Sequence, residues 1–260
     1  MPLKKTFSNN IKDRHMAVTD GVFAIAMTIL VLEIAVPTVA EIQSGANLTD
    51  YLISYLGPSV LIYFISFYLV YNFWETDVIL FNFKRIKHSV MILNMFTLAS
   101  VCLIPFATGF LFQFYKFTEV NILFSLLILI ISILYLLMFI LLIRDNFSDY
   151  FDKKEEIKST VKESYDSLDD GREFDNLRLY FKGTILTLFY IILGPILISI
   201  ISLLLAFVSP VLSVMSFLFN LIVRFLVLRR REKKSDFENF ELNDSENELI
   251  EDIKKSLYGE

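Results

Sequence analysis

Six long apolar runs, separated by short charged segments, constrain this chain more than any other feature of its 260 residues. An α-helix rises about 1.5 Å per residue, so about 20 apolar residues cross the roughly 30 Å of hydrocarbon in a bilayer. Backbone groups must be satisfied within each spanning segment, and no run alternates as a strand does. We therefore predict an all-α membrane protein with six transmembrane helices at about 17–36, 52–74, 89–112, 120–143, 179–207 and 210–228.

The positions of the basic residues predict how this bundle is oriented. If the six runs cross the membrane in turn, 23 of the 24 Lys and Arg residues lie on the side that holds both termini, and only Lys116 lies on the other. An excess of Lys and Arg marks the cytoplasmic side of a membrane protein. Six spans then place both termini in the cytoplasm. The resulting division is a six-helix transmembrane domain over 1–228 and an acidic cytoplasmic tail over 229–260. The polar loop at 144–178 is interpreted as a solvated helical extension between spans four and five.

Motifs of the common hydrolases and transferases are missing from the sequence, so the chain is predicted not to be an enzyme. Its one cysteine, Cys102, excludes an internal disulfide and a multi-cysteine metal site. The two histidines, His15 and His88, are too few and too far apart for a histidine-based metal site. We therefore expect no metal and no cofactor.

The first apolar run carries a pattern of its own. Gly21, Ile25, Thr28 and Leu32 follow one another at steps of four, three and four, so a helix places them on one face. Several copies of this helix around an axis would form a narrow apolar constriction with one layer of hydroxyl groups, and such rings can gate by dewetting. The alternative is an ordinary helix–helix contact, in which Gly21 permits close approach and Thr28 bonds to its own backbone.

Two acids also interrupt the first run, and an ionisable residue inside a membrane is costly enough to indicate a function. Asp20 is interpreted as a structural carboxylate, held by Arg14 or by a polar group on a neighbouring span, rather than as a direct ion ligand. Glu33, near the outer end, either attracts cations at a mouth or is simply solvated. Both interpretations of Glu33 stay open.

The segment from Arg14 through Val18-Thr19-Asp20-Gly21 and on to the apolar helix resembles the first-helix signature of the transmembrane protein 175 family. These proteins are the endolysosomal potassium channels and their prokaryotic relatives, whose pattern is Arg, three residues, then Phe-Ser-Asp. Trp74, Leu93-Asn94-Met95-Phe96 and residues 103–108 are similar to later parts of the family pattern. The resemblance covers the first three spans, whereas the last three match only in number and spacing.

The resemblance implies a single-repeat, prokaryotic-type homotetramer in which the first helix of each subunit lines a central pore. Ile25 would be the main constriction, Thr28 the hydroxyl layer and Leu32 an outer apolar ring. The buried structural or gating motif would comprise Arg14, Thr19, Asp20, Gly21, Trp74 and Asn94. The implied function is a potassium-permeable, weakly selective monovalent cation channel in a cell membrane, expected to be prokaryotic, with no nucleic-acid partner. The sequence lacks Thr-Val-Gly-Tyr-Gly, so a carbonyl filter is not the mechanism.

The chain also departs from this family pattern. Val18 and Thr19 stand in place of the family's Phe and Ser, and Glu75-Thr76-Asp77 stands where the family usually has a histidine. The polar network around the first helix is therefore expected to be altered. Two other functions remain open, namely a secondary transporter that uses the helix breaks at Gly194-Pro195 and Pro105, and a non-conducting scaffold that binds a partner through the tail.

Overall fold

The fold is built from helices throughout the part of the chain that the computed structural model describes, which is residues 2–34, 49, 56–83, 86–164, 189, 191–221 and 224. A short 3-10 turn, Leu30–Glu33, follows the first helix. The seven α-helices are α1 (Pro2–Ile29), α2 (Gly57–Phe81), α3 (His88–Val101), α4 (Leu103–Phe114), α5 (Thr118–Ser164), α6 (Ile191–Val208) and α7 (Pro210–Leu221). The predicted all-α class is therefore confirmed.

Four segments of the described chain are long and apolar enough to cross a membrane: Lys12–Glu33, His88–Phe114, Thr118–Asp145 and Ile191–Val208. They correspond to predicted spans one, three, four and five. The 25-residue helix α2 is also long enough at about 37 Å, but polar residues in its second half lower its hydropathy. The six-span count stays a prediction, because much of 165–190, the end of span six and the tail at 229–260 lie outside the described residues.

Several helix boundaries differ from the predicted spans for local physical reasons. The helix α1 begins at Pro2, long before residue 17, and α2 continues past residue 74 to Phe81. The helix α5 runs on to Ser164, in agreement with the helical extension interpreted for the polar loop. These differences arise because apolarity marks only the part of a helix that lies in hydrocarbon, whereas polar residues can continue the same helix into water.

The third predicted span is two helices rather than one, with a break at Cys102. Pro105 explains the break, because proline has no N–H and its ring collides with the carbonyl four residues earlier. Ending α3 at Val101 and starting α4 at Leu103 puts Pro105 in the first turn of a new helix, where its N–H is not needed.

The core lies where α2, α3, α4 and α5 meet. The helix α5 packs against α3 and α4, while α2 packs against α1 and α4. Aromatic pairs fill the centre, since the rings of Phe73 and Tyr135 stack at 5.6 Å and those of Phe124 and Phe217 meet edge to face at 5.5 Å. The helix α1 lies against this core through its contacts with α2, α3 and α4.

A cluster of buried serines joins α5 to the helical hairpin α6–α7. Only Ser209 separates these last two helices. The Oγ atoms of Ser202 and Ser213 lie 2.8 Å apart across the hairpin, and the Oγ of Ser125 on α5 lies 2.7 Å from that of Ser202. Hydroxyl groups that satisfy one another in this way link helices where no water is at hand.

We predict that Ser202→Ala lowers the free energy of unfolding by about 1 kcal/mol, because it removes the shared partner of Ser125 and Ser213. The matched control is Ser132→Ala, since the equally buried Ser132 donates only to the carbonyl of Ile128 on its own helix. Reversible unfolding in bicelles measures both variants. An equal effect of the two substitutions would show that the serine cluster adds nothing beyond burial.

Candidate functional site

The helix α1 is covered on one side and uncovered on the other. Its covered face holds Phe23 and Ala26 and continues into Leu30 of the 3-10 turn, and none of these three residues is more than 3% exposed. On the opposite side, Ile25 of α1 is 59% exposed and Leu32 of the 3-10 turn is 77% exposed. The uncovered side also includes Gly21 and Thr28, so it contains the four residues that the sequence spacing placed on one face. We call this set the α1 row.

The hydroxyl of Thr28 bonds to its own helix. It lies 3.0 Å from the carbonyl oxygen of Ala24 and 2.9 Å from that of Ile25, and it donates to them. The hydrogen is therefore used inside α1, while the oxygen keeps lone pairs free on the exposed side of the helix. The backbone bond and a role as an oxygen ligand, which the sequence left as alternatives, are compatible.

Gly21 is not required by packing within the single chain. Apart from its chain neighbours and the backbone of its own helix, no atom of the described residues lies within 4 Å of the position that a Cβ at Gly21 would occupy. A glycine in a helix costs about 1 kcal/mol relative to alanine. Packing among the described residues therefore leaves room for a larger side chain at this position.

Asp20 is held by α2. The indole nitrogen of Trp74 donates a hydrogen bond of 2.9 Å to Asp20 Oδ1. Of the two sources considered for Asp20, the polar group on a neighbouring span is the one observed, and the Arg14 side chain is exposed. A hydrogen bond to a charged group contributes about 1.5–3 kcal/mol, so this contact ties α1 firmly to α2.

Asn94 ties α1 to α3 from the other side. Its Nδ2 lies 3.2 Å from His15 Nε2 and 3.3 Å from Thr19 Oγ1, and Asn94 and Thr19 are both fully buried. With the amide in this orientation, Nδ2 donates to Thr19 Oγ1, and it donates to His15 when Nε2 of that ring carries no proton. The His15 ring also stacks on Phe81 at 5.2 Å.

The sequence analysis missed His15 as a member of this network. One signal could have found it, because His15 lies four residues before Thr19 and therefore on the same helical face. The structure thus brings His15, Thr19 and Asn94 together, and separately brings Asp20 together with Trp74.

The two departures from the family pattern on α2 both have partners. Glu75 Oε2 lies 2.6 Å from an Nη atom of Arg224, whose side chain is only 7% exposed. Asp77 is buried, and the side chains of Asn94 and Tyr135 face its carboxylate. One turn of α2 therefore contacts α1, the chain after α7, and the α3–α5 side of the core.

The remaining predicted residues can be placed as follows. Within the single chain, Arg14, Asp20 and Gly21 are exposed and Trp74 is half-buried, so the proposed burial of the whole motif stays a prediction. Glu33 is half-buried, with its carboxyl against Gly109 of α4, where a Cβ would collide with it. The absence of a side chain at Gly109 leaves room for this carboxyl.

A family model described as the endosomal/lysosomal potassium channel TMEM175 matches residues 14–105. The resemblance seen in the sequence is confirmed for this segment. It includes α1 from Arg14 onward, all of α2 and α3, and the start of α4. The helices that carry the α1 row and its two anchors are thus the ones that the family shares.

Curated relatives match about two fifths of the chain. A potassium channel of Streptomyces collinus is 31% identical over 108 residues, which is 41% of this chain and 50% of that protein. A potassium channel of Chamaesiphon minutus is 37% identical over 102 residues, covering 39% of this chain and 49% of that protein. The chain therefore spans about half the length of the curated relatives it matches.

The fold as a whole is similar to a crystal structure of a lysosomal potassium-selective channel TMEM175 homolog from Chamaesiphon minutus. The two chains superpose with a TM-score of 0.58 and are 23% identical, over 84% of this chain and 98% of the other. At this identity the match shows the fold.

We predict that Trp74→Phe lowers the free energy of unfolding by about 1.5–3 kcal/mol, because Asp20 loses its charged hydrogen bond. Tyr71→Phe is the control, since exposed Tyr71 packs on Trp74 at 5.6 Å and keeps that ring contact. Chemical unfolding followed by circular dichroism measures both. If Trp74→Phe were as stable as Tyr71→Phe, the indole would not be an anchor for α1.

Proposed function

We propose that this chain forms a homotetrameric, potassium-permeable and weakly selective monovalent cation channel, in which α1 of each subunit lines the pore. The observation that carries the proposal is the uncovered α1 row. It places a glycine, two large apolar residues and one hydroxyl on the uncovered side of the segment, where Val18, Ile29 and Val31 are exposed as well, while Phe23, Ala26 and Leu30 pack against the core. The potassium channels among the relatives, and the potassium-selective channel of similar fold, support the same assignment.

The α1 row suits the axis of an assembly better than it suits lipid. A glycine that faces lipid does not improve packing, whereas helices that cross near an axis need small residues in order to approach one another. Gly21 has open space beside it in the single chain, so this need would be met by α1 of neighbouring subunits. Ile25 and Leu32 would then face the axis as two apolar rings with the Thr28 hydroxyls between them.

The conduction mechanism follows from the chemistry of these rings. A narrow ring of Ile25 side chains offers no ligand, so ions pass it only when the pore is wet, and dewetting closes it. The Thr28 oxygen can replace part of an ion's hydration shell, because its own hydrogen is held inside α1. K⁺ is preferred over Na⁺ because it gives up water more easily, and without strong ligands this preference is modest.

The two anchors determine which residues of α1 face the axis. At about 100° per residue, Asp20 lies about 140° from Ile25 in one direction, and Thr19 lies about 120° from it in the other. Trp74 bonds to Asp20 and Asn94 bonds to Thr19, so two hydrogen bonds hold α1 on the side that faces away from the proposed pore. Rotation of α1 about its axis would break one of these two hydrogen bonds.

We predict that Ile25→Ala increases K⁺ flux and lowers the preference for K⁺ over Na⁺, because a wider and less apolar ring wets more easily. We expect at least about a tenfold increase, which corresponds to about 1.4 kcal/mol of barrier. Electrogenic flux into proteoliposomes under K⁺ and then Na⁺ gradients measures it. Ile130→Ala is the control, because Ile130 is an exposed isoleucine on α5 away from the row.

The same assay separates the channel from its rivals. Equal flux of wild-type protein and Ile25→Ala would show that the Ile25 side chain does not form the constriction. Flux that saturates and requires a second, coupled solute would indicate a secondary transporter. Folded tetramers that pass no ion in either form would contradict an open pore and favour the scaffold.

We predict that Gly21→Phe disperses the tetramer while leaving the fold of each subunit intact, since a phenyl ring fits beside a single chain but not between four crossing helices. Gly21→Ala is the small control and should stay tetrameric. Multi-angle light scattering gives the mass, and circular dichroism gives the helix content. A stable, fully conducting Gly21→Phe tetramer would show that α1 does not approach its copies at this residue.

A further inference from the structure

The chain just after α7 carries a charged side chain into the interior of the fold. Arg224 lies three residues beyond Leu221, and its side chain is only 7% exposed. One of its Nη atoms lies 2.6 Å from Oε2 of Glu75 on α2, whose side chain is 31% exposed. An ionisable residue inside a membrane-spanning segment is costly enough to indicate a function, and Arg224 is not part of the α1 row.

Arg224 stands at the end of a helical face that is buried along its length. Four residues form this face at steps of four, three and four, and none of them is more than 7% exposed: Ser213, Phe217, Asn220 and Arg224. The serine cluster joins Ser213 to α6, and the ring of Phe217 lies 5.5 Å from that of Phe124 on α5. Arg224 therefore extends from a helix that α5 and α6 already hold in place.

Glu75 belongs to the same turn of α2 as Trp74. The Trp74 indole donates the 2.9 Å hydrogen bond to Asp20 that ties α2 to α1. Because Trp74 and Glu75 are adjacent in the chain, a shift of Glu75 also moves the indole. The contacts thus form a continuous path from α7 through Arg224 and this turn of α2 to α1.

Charge, rather than a directional hydrogen bond, holds Arg224 and Glu75 together. Within the part of the chain that the structure describes, neither Nη atom of Arg224 makes an aligned hydrogen bond, although the N···O distance is 2.6 Å. Opposite charges attract each other strongly where little water surrounds them, and a buried charge that loses its partner is costly. The ion pair therefore fixes this turn of α2 against the end of α7.

We propose that Arg224 is a positioning residue of the channel, which holds the Trp74 turn of α2 through Glu75 and thereby sets where α1 lies. This inference rests on the proposed function, because it concerns the pore that α1 would line. Arg224 acts on permeation only through α2 and α1, since it contacts Glu75 and not the α1 row. The family resemblance does not imply this contact, because Glu75 belongs to the segment that departs from the family pattern.

Trp74 provides a readout that does not depend on ion conduction. It is the only tryptophan in the chain, so its emission and its quenching by acrylamide report on this turn of α2. The test variant is Arg224→Met, which removes the buried charge and keeps a long side chain. We expect a shift of Trp74 emission and stronger quenching. We also expect the ratio of K⁺ to Na⁺ flux to fall by about threefold or more, as substitutions along a contact network can produce.

Three further variants separate positioning from stability. Arg224→Lys keeps the positive charge, so its quenching and flux ratio should stay close to those of wild type. Glu75→Gln combined with Arg224→Met leaves no unpaired charge, so its Tm should stay close to that of wild type, while quenching and flux ratio remain altered. The matched control is Asp145→Asn, which should change neither. It breaks the ion pair with Lys87, which also has a 2.6 Å contact and a member that is 7% exposed but includes no residue of α2.

Several results would overturn the proposal. These are unchanged Trp74 quenching in Arg224→Met, an unchanged flux ratio in that variant, or equal changes in Asp145→Asn. A wild-type flux ratio in the double variant would mean that the ion pair contributes only to stability. If wild-type protein passed no ion, the proposed function would fail, whereas Trp74 quenching would still show whether Arg224 holds this turn of α2. The two proposals can therefore fail separately.

Discussion

The hydrogen bond from Trp74 to Asp20 is the contact on which the arrangement of α1 depends. Most of α1 is apolar, and apolar side chains alone would let it turn or slide against α2 at little cost, since lipid is as apolar as the neighbouring helix. A hydrogen bond between an indole N–H and a carboxylate is directional, which apolar contacts are not. It fixes one rotation of α1, and with it which residues are left uncovered.

The turn of α2 that contains Trp74 also contacts other parts of the molecule. Neighbouring residues on a helix point in directions about 100° apart, so three residues of one turn contact three different parts of the chain. Trp74 reaches α1, Glu75 reaches Arg224 after α7, and Asp77 reaches α3 and α5. The departures from the family pattern are therefore not isolated changes, because Glu75 has a cationic partner far along the chain and Asp77 lies beside a second acid.

The sequence predicts the elements of this fold better than it predicts their contacts. The steps between Gly21, Ile25, Thr28 and Leu32 place these residues on one face of α1, and this relation holds in the structure. Periodicity could not say whether that face was covered, because membrane helices are apolar on all sides. The apolar run at 89–112 predicted one span, and the structure has two helices there, which meet at Cys102 three residues before Pro105. The partners of Glu75 and Asp77 could not be predicted, since they come from helices far away in the sequence.

In the proposed channel, a pore without strong ligands can still have a defined width, because contacts behind α1 hold that helix in place. In the proposed channel a ring of Ile25 side chains offers no ligand to an ion, so the width of the ring governs how much hydration water an ion must give up there. That diameter is set by how α1 is held from behind, through Asp20 on one flank and Thr19 on the other. If α1 lines the pore as proposed, the polar contacts that set its width lie outside the pore, and changes on α2 and α3 would act on permeation through the position of α1 rather than through contact with the ion.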